Sequence, residues 1–377
     1  MAYSDIDGGV AAVFMRGGTS KGLIVHERDL PPAGDERDAL LMRLMGTPDP
    51  LQIDGMGGAA SSTSKVMVVS AAGQDGVIEY SFGQVGIAQP VVDWRGNCGN
   101  LSFAVAAFAV DSGLSPVDDG ATETTVRLRN TNTGVRIDAE VAVRRARAAR
   151  DGDTVIAGVP GTAAPITMRY LEPGGAVTGA LLPLVSAQTM FTVATSSGEL
   201  RVRGTLVDAT NPYLFVARDA VPGAHRAPAE LRGDETFLAV IERLRAAAAV
   251  ALGVASSLEA ARIEAPVTPR IVLVGPPKES AEADLETLTI SMQQVHRGIP
   301  MTAAMALAAA RGIAGSIVHD LVGDAPANGA TVIAHPLGTV RVVAEHAERA
   351  DGTVHVVSVG VTGTTRTLMA GMVYPAP

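Results

Sequence analysis

Cysteine is nearly absent from this chain: Cys98 is the only one in 377 residues. A single thiol closes no intramolecular disulfide and builds no thiolate metal cluster. Histidine is sparse as well, at positions 26, 225, 296, 319, 335, 346 and 355, with no H-E-x-x-H pairing, so no metal centre is expected. Aromatic residues make up 3% of the chain, which leaves the cores to be packed by small aliphatic side chains. Positive charge is in deficit. A formal net charge of −9 disfavours nucleic acid or anionic lipid as a partner, so any anionic ligand needs positive potential that is local. No stretch of 18 uncharged apolar residues is long enough for a membrane span. The opening "MAYSDIDGGVAAVFMRGG" carries acids and glycines where a leader needs basic and then apolar residues. The expectation is a soluble, cytoplasmic protein.

What is present is apolar substance, 47% of the chain, enough for two domains at roughly 100–200 residues each. Many short β-branched-rich segments such as "KGLIVHE", "SKVMVVSAA", "RIVLVGPP" and "TVHVVSVGV" are bounded by Gly, Pro, Asn or Asp, the pattern of antiparallel sheet rather than βαβ units. Four segments are helical in pattern. Residues 36–46 and 234–253 have one apolar stripe and are expected on the surface. Leu101–Val110 and Met301–Ala310 are apolar nearly all round, so each must be enclosed by other structure. Gly113 lies just beyond the first; the second is read as starting at Pro300 and ending near Gly312. Two enclosed helices among many strands predict an α+β chain of two similar domains, each a mostly antiparallel sheet curled around one apolar helix. "TGALLPLVSAQ" (178–188) is the expected crossing, giving domains 1–183 and 184–377, with the last strand free to cross back to the first domain.

Chemistry concentrates at a few motifs. "RGNCGNL" puts Cys98 at the mouth of the first apolar helix, where unpaired N–H groups and the helix dipole favour negative charge. That setting suits a reactive thiol and also a ligand carboxylate, while a small buried cysteine that fills space is the plainer alternative. "DGMGGAASSTSKVMVV" (54–69) contains G-x-G-x-x-A, but neither the strand before it nor the helix after it that a dinucleotide loop requires, and it lacks the Gly-Lys of a Walker loop. It ends on Lys65 entering an apolar strand, where burial would favour the neutral amine over a surface charge. "FMRGGTSKG" adds Thr19, Ser20 and Lys21, and "QQVHRGIPMT" sets His296 before the second apolar helix as Asn-Cys-Gly-Asn stands before the first.

Together "MRGGTSKG", "QIDGMGGAASSTSK", "FGQVGIAQPVVDWRGNCGNL", "TPRIVLVGPPK" and "LMAGMV" resemble the 2-methylaconitate isomerase (PrpF) family, the group with methylitaconate isomerase and the 4-oxalomesaconate isomerases and tautomerases. The resemblance implies the diaminopimelate-epimerase-like fold, with the site in the cleft between two domains. It implies Lys65 as principal base and Cys98 as its acid/base partner. Substrate contacts are implied at Thr19, Ser20, Lys21, Ser64, Asn97, Gly99, Asn100, Lys278 and His335. His296, Met301 and Thr302 join them from the mouth of the second helix. The chain departs from the family at Arg297 (commonly histidine), Leu337 (serine) and Gly363 (arginine), all expected around the substrate. Epimerases of this fold use two facing cysteines, which one cysteine cannot supply.

The implied reaction is proton transfer on a small unsaturated di- or tricarboxylate, by cis–trans or allylic isomerisation, with no redox or metal cofactor. Two other readings stay open: an oxalomesaconate isomerase or tautomerase of aromatic-acid degradation, and a non-catalytic carboxylate-binding accessory to an aconitase-like dehydratase. Neither nucleic acid nor membrane is an expected partner, and an exposed edge strand would allow a homodimer.

Overall fold

The computed structural model describes residues 8–196, 198–277, 282–291, 293–350 and 352–377. The chain forms two compact units, Met1–Arg169 with Thr362–Pro377, and Tyr170–Val361.

In the first unit β1 (Val10–Gly17) and β2 (Ser20–His26) form a hairpin through Gly18 and Thr19, with Gly17 opposite Ser20. The strand Thr365–Val373 adds to the other edge of β1, antiparallel. β2 continues through helix α1 (Asp35–Met45) into β3 (Lys65–Ala72), which pairs parallel to it. β4 (Ile78–Val85) returns antiparallel, with Lys65 opposite Gln84 and, through the short β5 (Val92–Asp93), Gln84 opposite Asp93. Helix α2 (Gly99–Asp111) then crosses to strand Glu123–Asn130, parallel to β4, and Arg136–Arg144 closes the series antiparallel.

Pairing is therefore antiparallel within each hairpin and parallel between successive hairpins, so the sheet is less uniformly antiparallel than the turn spacing suggests. Parallel neighbours need a long crossover, and here a helix supplies each one. The two crossovers use opposite faces. Alternation along the strands turns Leu23, Val25, Val66, Val68 and Val85 toward Leu41, Leu44 and Met45 of α1. The other face curls around α2, which touches β1, β2, β3 and the strands Glu123–Asn130, Arg136–Arg144 and Thr365–Val373. Every residue of α2 from Gly99 to Val110 is buried, which is why the segment is apolar on all sides.

The second unit runs the same series of pairings. The hairpin Gly198–Ala209/Asn211–Ala217 is extended by Thr189–Thr195 on one side. Helix Glu235–Ala251 crosses to the parallel strand Arg270–Gly275, and Leu285–Ser291 returns antiparallel. Helix Met301–Arg311 crosses to Ala330–His335, again parallel, followed by Gly338–Glu348. Met301–Arg311 is buried throughout, whereas Glu235–Ala251 lays one apolar face, with Phe237, Ile241 and Leu244, on the outer surface of the sheet. The helix starts one residue later than expected, at Met301, and Pro300 stands just outside it. It is the cap, and its carbonyl accepts from the N–H groups of Ala303 and Ala304. Among the described residues no helix is long and apolar enough to cross a membrane.

Candidate active site

The glycines of "RGGTSKG" are explained by what lies against them. A Cβ on Gly17 would stand 3.0 Å from Leu101 Cα and overlap the Asn100 carbonyl oxygen. Gly18 has φ +49° and faces the Asn100 side chain, with which any Cβ there would collide. The hairpin turn thus rests directly on the first turn of α2. Thr19, exposed at the turn, donates its N–H to Asn100 Oδ1 at 3.4 Å.

The start of α2 is held by a buried polar network. Asn97 Oδ1 accepts from the Cys98 N–H (2.7 Å), Tyr80 Oη (3.1 Å) and Ser102 Oγ (3.3 Å). Tyr80 is fully enclosed, and burial pushes its phenol pKa well above the usual range, so it stays a donor. Cys98 is the N-cap: its Sγ accepts from the Leu101 N–H at 3.5 Å and lies 3.9 Å from Ser20 Oγ. The sulfur, the Ser20 hydroxyl and the amides of Gly99 and Asn100 are gathered at one helix mouth.

Lys65 reaches this region from the sheet. Tyr80, Phe82 and Gln84 alternate along β4 on the face that Tyr80 turns to α2, and directly opposed strand residues share a face, so Lys65 is on that face too. Its amine donates to Gln84 Oε1 at 2.6 Å and lies 4.9 Å from the centre of the Phe82 ring. The residue is 8% exposed, so this cation-bearing side chain is largely removed from water. Next to it, Ser64 donates to the Val85 carbonyl at 3.0 Å and accepts from Gln52 Nε2 at 2.7 Å. Residues 61–65 meet β2 where the Lys21 N–H donates to the Ser62 carbonyl and Gly22 leaves room for the Lys65 backbone and the Leu101 side chain.

Lys21 itself is turned the other way. Its amine lies 5.5 Å from the ring of Phe14, which belongs to the core on the α1 side.

The second unit carries its own group. Thr302, in the first turn of Met301–Arg311, shares a 2.7 Å hydrogen bond with Tyr213 Oη, while Met301 is buried beside it. His296 donates its N–H to the Thr289 carbonyl at 2.9 Å, and its side chain is partly exposed. His335 lies at the approach to the same helix, with Nδ1 3.8 Å from where a Cβ on Gly298 would be. Desolvation pushes its pKa down to about 4, and its Nδ1 accepts the Leu337 N–H at 3.3 Å. It is therefore a neutral imidazole with its proton on Nε2. Lys278 lies outside the described residues.

Comparison with known proteins decides what this arrangement belongs to. The description "PrpF protein" matches residues 9–376. The chain belongs to the PrpF family. The 3-methylitaconate isomerase of Eubacterium barkeri is 34% identical over 97% of both chains. The 2-methyl-aconitate isomerase of Shewanella oneidensis is 35% identical over 97% of this chain and 96% of its own. The (4E)-oxalomesaconate Delta-isomerase of Novosphingobium sp. is 34% identical over 96% of each. Among solved structures, a methylitaconate-delta-isomerase superimposes with TM-score 0.76 at 34% identity, covering 97% of this chain and 95% of its own. A hydroxyproline epimerase from Agrobacterium vitis, 14% identical with TM-score 0.55 over 97% and 93% of the two chains, shares the fold.

Against other PrpF proteins, the departures have visible settings. Arg297 is exposed, and Leu337 stands 3.3 Å from a Cβ position on Gly298. At Gly363 the ring of Phe103 occupies the space a side chain would need. Two buried glutamines escaped the reading of motifs. Gln84 holds the Lys65 amine, and Gln52, at 1% exposure and φ +48°, ties the glycine loop to Ser64. Their signal was a long amide at strand or loop positions enclosed by apolar neighbours.

Proposed function

We propose that the protein is a cofactor-independent isomerase of small unsaturated di- or tricarboxylates, with Lys65 as base and Cys98 as its acid partner. Lys65 in its neutral form removes a proton from the carbon next to the double bond. The electron pair delocalises as an allylic carbanion into a neighbouring carboxylate. Return of a proton at the far end of the allyl unit moves the double bond; return at the same carbon after rotation exchanges cis and trans. The negative charge that builds on the carboxylate is met by the N–H groups at the start of α2, with Ser20, Asn97, Gly99 and Asn100 around them. In the second unit His335, a neutral Nε2–H donor, with His296, Met301 and Thr302, is proposed as a further set of carboxylate-binding groups.

The single observation that carries this reading is the setting of Lys65, an amine out of water, against an aromatic face, with a neutral acceptor, on the sheet face that encloses α2. Support for the substrate class comes from the three relatives named as isomerases of 3-methylitaconate, 2-methyl-aconitate and (4E)-oxalomesaconate. A second reading, isomerisation or tautomerisation of an oxalomesaconate, rests on a relative named for that acid at an identity equal to that of the methylitaconate isomerase.

The test is to incubate purified protein with 2-methylaconitate, methylitaconate and oxalomesaconate in D2O, following exchange by NMR and conversion by ultraviolet absorbance. One substrate should turn over, and Lys65→Ala should lower that rate by about 10²–10⁴-fold with the fold intact. Exchange in Lys65→Ala at the parental rate would remove Lys65 from the role. Binding of all three acids without turnover would favour a carboxylate-binding accessory.

A further inference from the structure

We propose that Gln84 is a positioning residue for Lys65: its amide carbonyl aims the amine and, being uncharged, leaves it able to give up and take back a proton. The inference rests on the reading of Lys65 as the base.

Register sets up the pair. Lys65 and Gln84 stand directly opposite each other on β3 and β4, so their side chains leave the sheet on one face. The orientation of the amide is fixed by its nitrogen. Gln84 Nε2 donates to the Ser64 carbonyl at 2.9 Å and to the Ser61 carbonyl at 3.2 Å, so both amide hydrogens are engaged. A flipped amide would set oxygen against two carbonyl oxygens. Oε1 must therefore face Nζ, which it accepts from at 2.6 Å. With one N–H directed at Oε1, the lone pair of the neutral amine is directed away from Gln84.

The charges around this pair make an uncharged partner matter. Across β4 from Lys65, Asp93 on β5 is the next residue in the row, and Arg95 engages its carboxylate at 3.0 and 3.1 Å. From β4 itself come the rings of Phe82 and Tyr80. The first turn of α2 contributes no acidic or basic side chain besides the Cys98 thiol that caps it. β2 turns Ser20 and Gly22 toward α2, with the Lys21 amine over Phe14. A carboxylate at position 84 would place a charge against Nζ that none of these groups cancels.

The experiment compares parent, Gln84→Glu, Gln84→Met and Lys65→Ala on whichever carboxylate the parent isomerises, with kcat and kcat/KM measured from pH 5 to 10. In Gln84→Glu the acid limb should move up by about 1–3 pH units, as expected for an amine given a carboxylate neighbour. In Gln84→Met kcat should fall about tenfold or more with KM within about twofold, because the amine is present but unaimed. A purely structural glutamine would leave kcat of a folded Gln84→Met at the parental value, and that result overturns the proposal, as does an unmoved acid limb in a folded Gln84→Glu. Should both variants fail to fold, the parent still carries the test. It has three lysines, so ¹⁵Nζ-lysine labelling gives three signals, and the Lys65 amine protons should exchange with water at least tenfold more slowly than those of free lysine. Exchange at the free rate overturns the proposal. If Lys65→Ala keeps parental activity, the reading of Lys65 as base fails, a result distinct from an unmoved pH limb beside an inactive Lys65→Ala.

Discussion

Gly17→Ala isolates the contact between the glycine hairpin and the mouth of α2. Gly17 does not need a glycine backbone, since its φ is not in the left-handed region, so alanine changes only the steric contact. The added methyl would stand 3.0 Å from Leu101 Cα and 3.3 Å from Ala104 N, besides overlapping the Asn100 carbonyl. Carbon–carbon contacts are most favourable at about 3.5–4.0 Å, so the hairpin or the helix must retreat by roughly 0.5–1 Å. Both neighbours are backbone in a buried helix and have little freedom to yield. Overpacking of this kind costs about 1–3 kcal/mol, a fall in melting temperature of roughly 2–4 °C per kcal/mol in a domain of this size. The retreat also shifts Ser20 against Cys98, and under the proposed role of Cys98 a displacement near 1 Å should cost on the order of 10²-fold in rate. Urea unfolding followed by tryptophan fluorescence reads the stability, since the single Trp94, half-buried, packs against the core of the same unit. Gly233→Ala is the control: no atom lies within 4 Å of its Cβ position, and it should be neutral or slightly stabilising. Equal midpoints for Gly17→Ala and Gly233→Ala would refute the claim that the hairpin is seated on the helix.

Other expectations concern the polar groups. Tyr80→Phe removes a buried hydroxyl bonded to Asn97 and Ser102 and should destabilise the protein by about 1–2 kcal/mol, with faster amide hydrogen exchange over residues 98–102. His335 has a folded pKa of about 4 against an ordinary value of 6.5, so the unfolded chain binds the extra proton between those values. Its contribution is fully present above about pH 6.5 and is lost as pH falls toward 4, by at most about 3 kcal/mol. His335→Gln should flatten that part of the urea-midpoint profile; an unchanged profile would contradict it.

The two enclosed helices were legible in the sequence because burial on all sides leaves no polar face to write. Leu101–Val110 and 301–310 carry that pattern, and Asn97, Cys98, Gly99 and Asn100 could be assigned to the mouth of the first from their place beside it, whereas Ser20 was implied only by the family resemblance. Lys65, the proposed base, was legible for a simpler reason. Lysine occurs only at 21, 65 and 278 among 30 basic residues, so an amine entering an apolar strand stands out. Parallel pairing between hairpins was not legible, because a crossover is visible as a helix but its destination strand is not.

Within a strand, composition records that residues alternate, and only pairing tells which parity faces which helix. Ser20 and Lys21 are consecutive, yet one hydroxyl meets the Cys98 sulfur while the neighbouring amine lies over Phe14 in the opposite core. Gln84 is separated from Lys65 by 19 positions, and nothing local marks it as the partner of the amine. The apolar patterning required two helices to be wrapped in sheet, while the grouping of a lysine, a thiol and hydroxyls in one site was only what the family resemblance implied. The register of β3 against β4 decided which acceptor the amine meets, since a slip of one residue would turn Gln84 to the other face and leave Lys65 opposite an apolar neighbour.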